Sequence, residues 1–133
     1  MYARFSDPGI AMTEEAALAQ TVAAMRAEPY LVGGRDREDT AVMTATSDIL
    51  MKEGAEALNC AVSLSAGLGV AIKVADGGYR AAGPATIAVL QQLGLLTPGA
   101  RRLLRPRLRP VVRGGERPVG HLEPVLNLSS EPA

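Results

Sequence analysis

Leu18, Val22 and Met25 recur at intervals of four and three residues, the spacing that gathers side chains on one face of an α-helix. Thr13 stands ahead of them as a helix cap, with Glu14 and Glu15 in the first turn where negative charge favours the helix dipole. Pro29 biases Glu28 away from helical geometry, so the pattern predicts a helix ending near Ala27. Before it, Asp7-Pro8-Gly9 is a turn signal; after it, Tyr30 to Gly34 leads into a charged loop from Arg35 to Asp39. Asp39 or Thr40 then offers a cap for a short helix through Val42, Met43 and Thr46, which Ser47-Asp48 breaks.

The period changes at Leu58. Leu58 to Leu64 alternates in part between apolar and polar positions, Gly67-Leu68-Gly69 signals a hairpin, and Val70 to Val74 reads as its second strand, closed by Asp76-Gly77-Gly78. A further helix is predicted from Gly83-Pro84 to Gly94, with Ile87, Leu90 and Leu93 as its apolar face. Thr97 to Arg117, with three prolines and seven arginines, reads as irregular, and Val119 to Leu128 as a last strand before a polar tail. No repeat is evident. The sum is an α/β chain of the α+β type, an antiparallel sheet flanked by helices, and residues 1–133 suffice for one domain.

Composition sharpens this picture in two ways. Apolar residues make up 47% but aromatic ones only 3%, with no Trp, so the core must be built from Ala, Leu and Val and is shallow enough for a partner surface to matter. Formal charge is zero overall yet uneven: residues 1–60 hold five Lys/Arg against ten Asp/Glu, and the remainder nine against four. No run approaches the ~18 apolar residues of a membrane span, and Met1 to Phe5 lacks the features of a signal peptide, so a soluble cytoplasmic chain without membrane contact is expected.

Candidate chemistry is sparse. Cys60 and His121 are each the single residue of their kind, which excludes an internal disulfide framework and makes no convincing structural zinc site. Gly67-Leu68-Gly69 and Gly77-Gly78 fit neither a dinucleotide nor a phosphate-loop pattern, so no cofactor is expected. His121, Asp39 and Asp76 read as structural, the aspartates as cap and turn residues. The arginines from Arg101 to Arg117 could engage phosphates, but no Trp or Phe lies among them to stack on bases, and pairing with the acidic first half is more economical than nucleic-acid binding.

Lys52 is the most specific feature, because Ile49, Leu50 and Met51 precede it and Gly54 follows. One reading is a surface lysine whose stem lies along its apolar neighbours while the ammonium stays in water. The other has Gly54 keep the backbone approachable while Lys52 assists proton transfer at a nearby hydroxyl. Serines occur at 6, 47, 63, 65, 129 and 130, and none is followed three residues later by lysine, so the chain offers no serine-lysine pair at helical spacing.

Taken in order, Tyr2-Ala3-Arg4-Phe5, Ala24 to Pro29 with Leu31-Val32-Gly33-Gly34, Asp39-Thr40 with Met43, Met51-Lys52-Glu53-Gly54-Ala55-Glu56, Val70 to Gly77 and Arg117-Pro118-Val119-Gly120 resemble the C-terminal portion of the bacterial asparaginase II type of L-asparaginase. The resemblance implies a fold like that of serine β-lactamases, penicillin-binding proteins and glutaminases, in which a lysine on a strand at the sheet edge faces the active-site serines. Lys52 matches that lysine, and Gly54 would keep the substrate cleft open. The implied chemistry is hydrolysis of the L-asparagine side-chain amide to aspartate and ammonia through an activated serine. The family's serine-x-x-lysine motif has no counterpart among these residues, and position 53 is Glu where relatives often have glycine. A fragment is therefore expected, inactive unless a complementing N-terminal half supplies the nucleophile, with that half or a homo-oligomer as the possible protein partner. The alternative is a non-catalytic relative that serves as an interaction module.

Overall fold

The computed structural model describes residues 13–129, and the turn expected at Asp7-Pro8-Gly9 lies outside them. Ten elements follow in order: α1 (Glu14–Ala27), α2 (Pro29–Gly33), α3 (Glu38–Ala45), β1 (Ile49–Gly54), β2 (Leu58–Ser63), β3 (Leu68–Lys73), α4 (Tyr79–Gln92), α5 (Pro98–Leu108), β4 (Val111–Gly114) and β5 (Arg117–His121). The first three strands form an antiparallel sheet in the order β1-β2-β3, and β4-β5 is a separate antiparallel hairpin. The class is α+β, as the sequence pattern implies.

The registers Lys52↔Cys60 and Cys60↔Ala71 set which side chains share a face. Because successive residues of a strand point to opposite sides, Ile49, Met51, Glu53, Asn59, Ala61 and Ser63 face one way, and Leu50, Lys52, Gly54, Cys60 and Val62 the other. On the first face the core closes: Val42 and Met43 of α3, Ile87 and Leu90 of α4, and Ala100 and Leu104 of α5 pack with Ile49, Met51 and Ala61. Asn59 is buried there too, and its Nδ2 donates to Thr86 Oγ1 over 2.9 Å, tying the sheet to α4.

Helix α1 is attached differently. Thr13 caps it, accepting from Ala16 N over 3.2 Å, but none of its residues is fully buried. Its hold on the body comes from Val22 and Met25, packed against the core edge, and from Arg26, whose guanidinium donates to the carbonyls of Met43, Thr46 and Ile49. Those carbonyls lie at the C-terminal end of α3 and the entry to β1, where a cation satisfies acceptors that the helix itself leaves open.

Four expectations are corrected. Helix α4 begins at Tyr79, not at Gly83-Pro84: Pro84 lies inside it, forgoing one bond to the carbonyl of exposed Arg80, and is itself buried. Thr97 to Arg117 is ordered, since Thr97 caps α5 through Ala100 N, Pro98 occupies the first turn, and Ala100, Leu104 and Leu108 form an inward stripe that the arginines obscure. The last strand, β5, ends at His121 and not at Leu128. Pro29 opens α2 within the stretch read as the approach to a loop.

At the far end of the sheet Ser63 Oγ donates to Asp48 Oδ2, and Ser65 N donates to Asp48 Oδ1 over 2.8 Å. These bonds, the Ser63 hydroxyl first, hold the Asp48 carboxyl below its ordinary range. A carboxylate with a lowered native pKa contributes stability above its unfolded pKa of about 3.9 and loses it as the pH falls through the native value. Ser63→Ala is therefore expected to flatten the loss of stability below about pH 4, measured by urea denaturation from pH 2 to 7, while an unchanged acid limb would show that the bond is unimportant.

Candidate functional site

Strand β1 is an edge, so half of its backbone groups face away from β2. At Glu53 the N–H donates to Asp39 Oδ2 over 3.3 Å and the carbonyl accepts from Lys52 Nζ over 2.8 Å. Lys52 Nζ and Asp39 Oδ2 are 3.2 Å apart, so carboxylate and ammonium close a small ring over the Glu53 peptide. The Asp39 side chain is wholly buried, whereas that of Lys52 is 55% exposed. Two of the three ammonium donors are engaged and one remains for a further acceptor.

Asp39 is placed by α3 and its approach. Its Oδ1 accepts from Thr40 N over 2.9 Å, and Thr40 Oγ1 donates to the Gly34 carbonyl over 2.8 Å, fastening α3 to the end of α2. Neither residue caps α3 in the way the sequence suggests. That work falls to Glu53, whose Oε1 accepts from Glu38 N at 2.6 Å and more loosely from Asp39 N at 3.4 Å, while its Oε2 pairs with Arg37. A carboxylate from the strand thus sits on the positive end of the helix. Local sequence carries no signal for this, because the capping group arrives from residues beyond the helix.

The outer face of the sheet carries Lys52 beside Cys60, its cross-strand partner, at the rim of a shallow hollow of about 240 Å³ lined also by Met25, Leu50 and Val62. Gly54 shares this face; the nearest atoms to a side chain placed there would be those of Leu58, at 3.4 Å, and its carbonyl accepts from Tyr79 Oη over 2.9 Å. The Tyr79 ring in turn lies 5.5 Å from the Arg37 guanidinium. His121, on β5, is bonded instead to Arg109, which follows α5.

Among the described residues the serines do not meet Lys52. Ser63 pairs with Ile49, three residues along β1 from Lys52, so it lies about 10 Å away by strand rise and on the opposite face, with its hydroxyl committed to Asp48. Ser47 and Ser65 flank that same far end, and Ser129 is exposed beyond β5. Thr40 is close, but its hydroxyl is spent on the Gly34 carbonyl. Among the described residues no group of three or more His, Cys, Asp or Glu is placed to hold a metal ion, and no helix is long and apolar enough to cross a membrane.

The family model for L-asparaginase II matches residues 1–124. The chain belongs to the L-asparaginase II family. No curated protein matches it. The match agrees with the resemblance carried by Met51 to Glu56 and Val70 to Gly77.

Gly33 is the steric counterpart of this ring. A Cβ there would lie 2.0 Å from Asp39 Oδ1 and 2.4 Å from Thr40 Oγ1, so any side chain must displace the buried carboxylate. Gly33→Ala is expected to cost about 1–3 kcal/mol in urea denaturation and to loosen Lys52. Gly99→Ala, in α5 with its nearest neighbour atom at 3.8 Å, is expected to cost nothing. Equal stability for the two variants would contradict the packing described.

Proposed function

We propose that this chain is the lysine-bearing part of an amidohydrolase that converts L-asparagine to L-aspartate and ammonia, resembling the C-terminal half of a β-lactamase-like enzyme. The observation that carries the reading is the Lys52 ammonium, fixed at the open edge of β1 by buried Asp39 with one donor left over. In this reading a serine hydroxyl from outside the chain's own set attacks the side-chain amide carbon. Lys52 stabilises the oxygen that loses its proton, ammonia departs with a proton, and water then cleaves the ester to release aspartate. Gly54, on the same face, places no side chain beside the ammonium.

Exposed apolar surface supports a missing complement. Leu18 and Leu31 are 65% and 78% exposed, and between α1 and α2 lies an open hollow of about 570 Å³ lined by Ala24, Met25, Leu31 and Val32. Surface of this kind marks a place where another segment docks. A complementing N-terminal half would both cover it and bring the nucleophile, and a second copy of the chain could cover it but would bring no serine-x-x-lysine pair.

A second reading rests on the same ring. The bonds from Lys52 to Asp39 and to the Glu53 carbonyl close a strand edge, which is what an interaction module with no catalytic role would also need.

Ammonia release from L-asparagine separates the two. The chain alone is expected to be inactive, and mixing it with the serine-x-x-lysine half of a complete family member is expected to generate activity. Lys52→Met in the mixture should lower kcat by about 10²–10³-fold with the complex still formed. Activity of the isolated chain would overturn the external-nucleophile reading, and a mixture that assembles yet stays inactive would favour the interaction module.

A further inference from the structure

A cleft of about 550 Å³ opens between α4, α5 and the β4–β5 hairpin, away from the outer sheet face that carries Lys52. Three arginines line it from three elements: Arg80 from the first turn of α4, Arg107 from the last turn of α5, and Arg113 from β4. Beside them the lining is apolar, formed by Pro84, Pro106, Pro110, Val112 and Leu122. The prolines bring no N–H of their own, so the polar character of the cleft is concentrated at the arginines.

Their bonding is incomplete. Arg107 uses one terminal nitrogen for the Asp36 carbonyl and Glu38 Oε1, at 3.2 and 3.1 Å, and Arg113 uses one for the Glu116 carbonyl at 2.9 Å. Arg80 takes part in none of the ion pairs among the described residues. Each guanidinium has five N–H donors in a planar fork that matches a carboxylate or phosphate. The one carboxylate lining the cleft is Glu38; its Oε1 is held by Arg107, its Oε2 is buried without a partner, and burial raises its pKa. Three cations against one carboxylate leave an excess of two positive charges around a cavity of small-molecule size.

We propose that this cleft binds a small organic anion, a carboxylate or phosphate ester whose charged end is gripped by Arg80, Arg107 and Arg113 and whose carbon body lies against Pro84, Val112 and Leu122. The site stands apart from the amidohydrolase reading and does not depend on it. Its dimensions suit one small molecule and not a nucleic-acid strand, and no aromatic ring other than that of Tyr79 lines it.

Calorimetric titration with phenyl phosphate, inorganic phosphate and phenol tests the proposal on the full chain. Phenyl phosphate is expected to bind at least about tenfold more tightly than either inorganic phosphate or phenol, since each supplies only one half of the recognition. Combining Arg80→Gln with Arg113→Gln should weaken phenyl phosphate at least about tenfold, whereas Arg102→Gln, on the exposed side of α5 and outside the cleft, should leave it unchanged. Glu38→Gln should tighten binding by releasing Arg107 and removing the opposing charge. Equal binding of phenyl phosphate and inorganic phosphate, or equal weakening by Arg102→Gln, would overturn the proposal. Should Glu38→Gln fail to fold, the arginine variants decide the matter alone.

Discussion

The peptide group of Glu53, left unpaired at the edge of β1, is the point on which the helical and sheet halves of the structure meet. Its N–H and C=O cannot bond to β2, and an exposed strand edge is a liability that proteins close with charge or with another segment. Here Asp39 and Lys52 close it, and the side chain of the same residue reaches the free N–H groups at the start of α3. Three carboxylates, those of Glu38, Asp39 and Glu53, are gathered in this region and each is matched by a cation, Arg107, Lys52 and Arg37 in turn. Removing the cation of such a pair is the costly change at Asp39 and Glu53, because it leaves a buried carboxylate with no compensating charge.

The same pairing gives Lys52 two characters. Its ammonium is held in place, which a catalytic cation requires, and it is also part of what seals the fold. It stands at the rim of a hollow, half open to solvent. The serines near the sheet are used elsewhere, above all Ser63 in fixing the Asp48 loop. Membership of the L-asparaginase II family thus stands beside a lysine that, among the described residues, has no serine partner.

Helix α1 and the arginine-rich stretch show how a small, aromatic-poor core organises its periphery. With few large side chains to bury, α1 is tethered by the Arg26 fork across three carbonyls rather than by packing in depth. On α5 the arginines point outward and sideways while Ala100 and Leu104 are buried, so basic residues are left around an apolar cleft instead of being neutralised throughout. Among the described residues the acidic first half meets the basic second half in two ion pairs, Glu56 with Lys73 beside the sheet and Glu38 with Arg107, which joins α3 to α5.

Several features were legible in the order of residues because their causes are local. Thr13 with Glu14 and Glu15 starts a helix, Pro29 stops it, alternation from Leu58 with the Gly67 turn builds a hairpin, and Gly94, at a φ of 73°, ends α4. Residues 97–117 are not legible in this way for the opposite reason: Pro106 and the arginines mask a stripe of Ala100, Leu104 and Leu108 whose helical state is decided by burial against α3 and α4. Lys52 and Gly54 stood out by composition, but their surroundings could not be read, since Asp39 comes from 13 residues earlier and Tyr79 from 25 residues later. The sequence by itself determined where helices and strands are favoured and which lysine is unusual, because propensity and capping act over a few residues. Only the tertiary structure decided what that lysine touches, which carboxylate caps α3, and that Ser63 lies on the wrong face to serve it, because strand register and helix packing bring together residues whose separation along the chain carries no such signal.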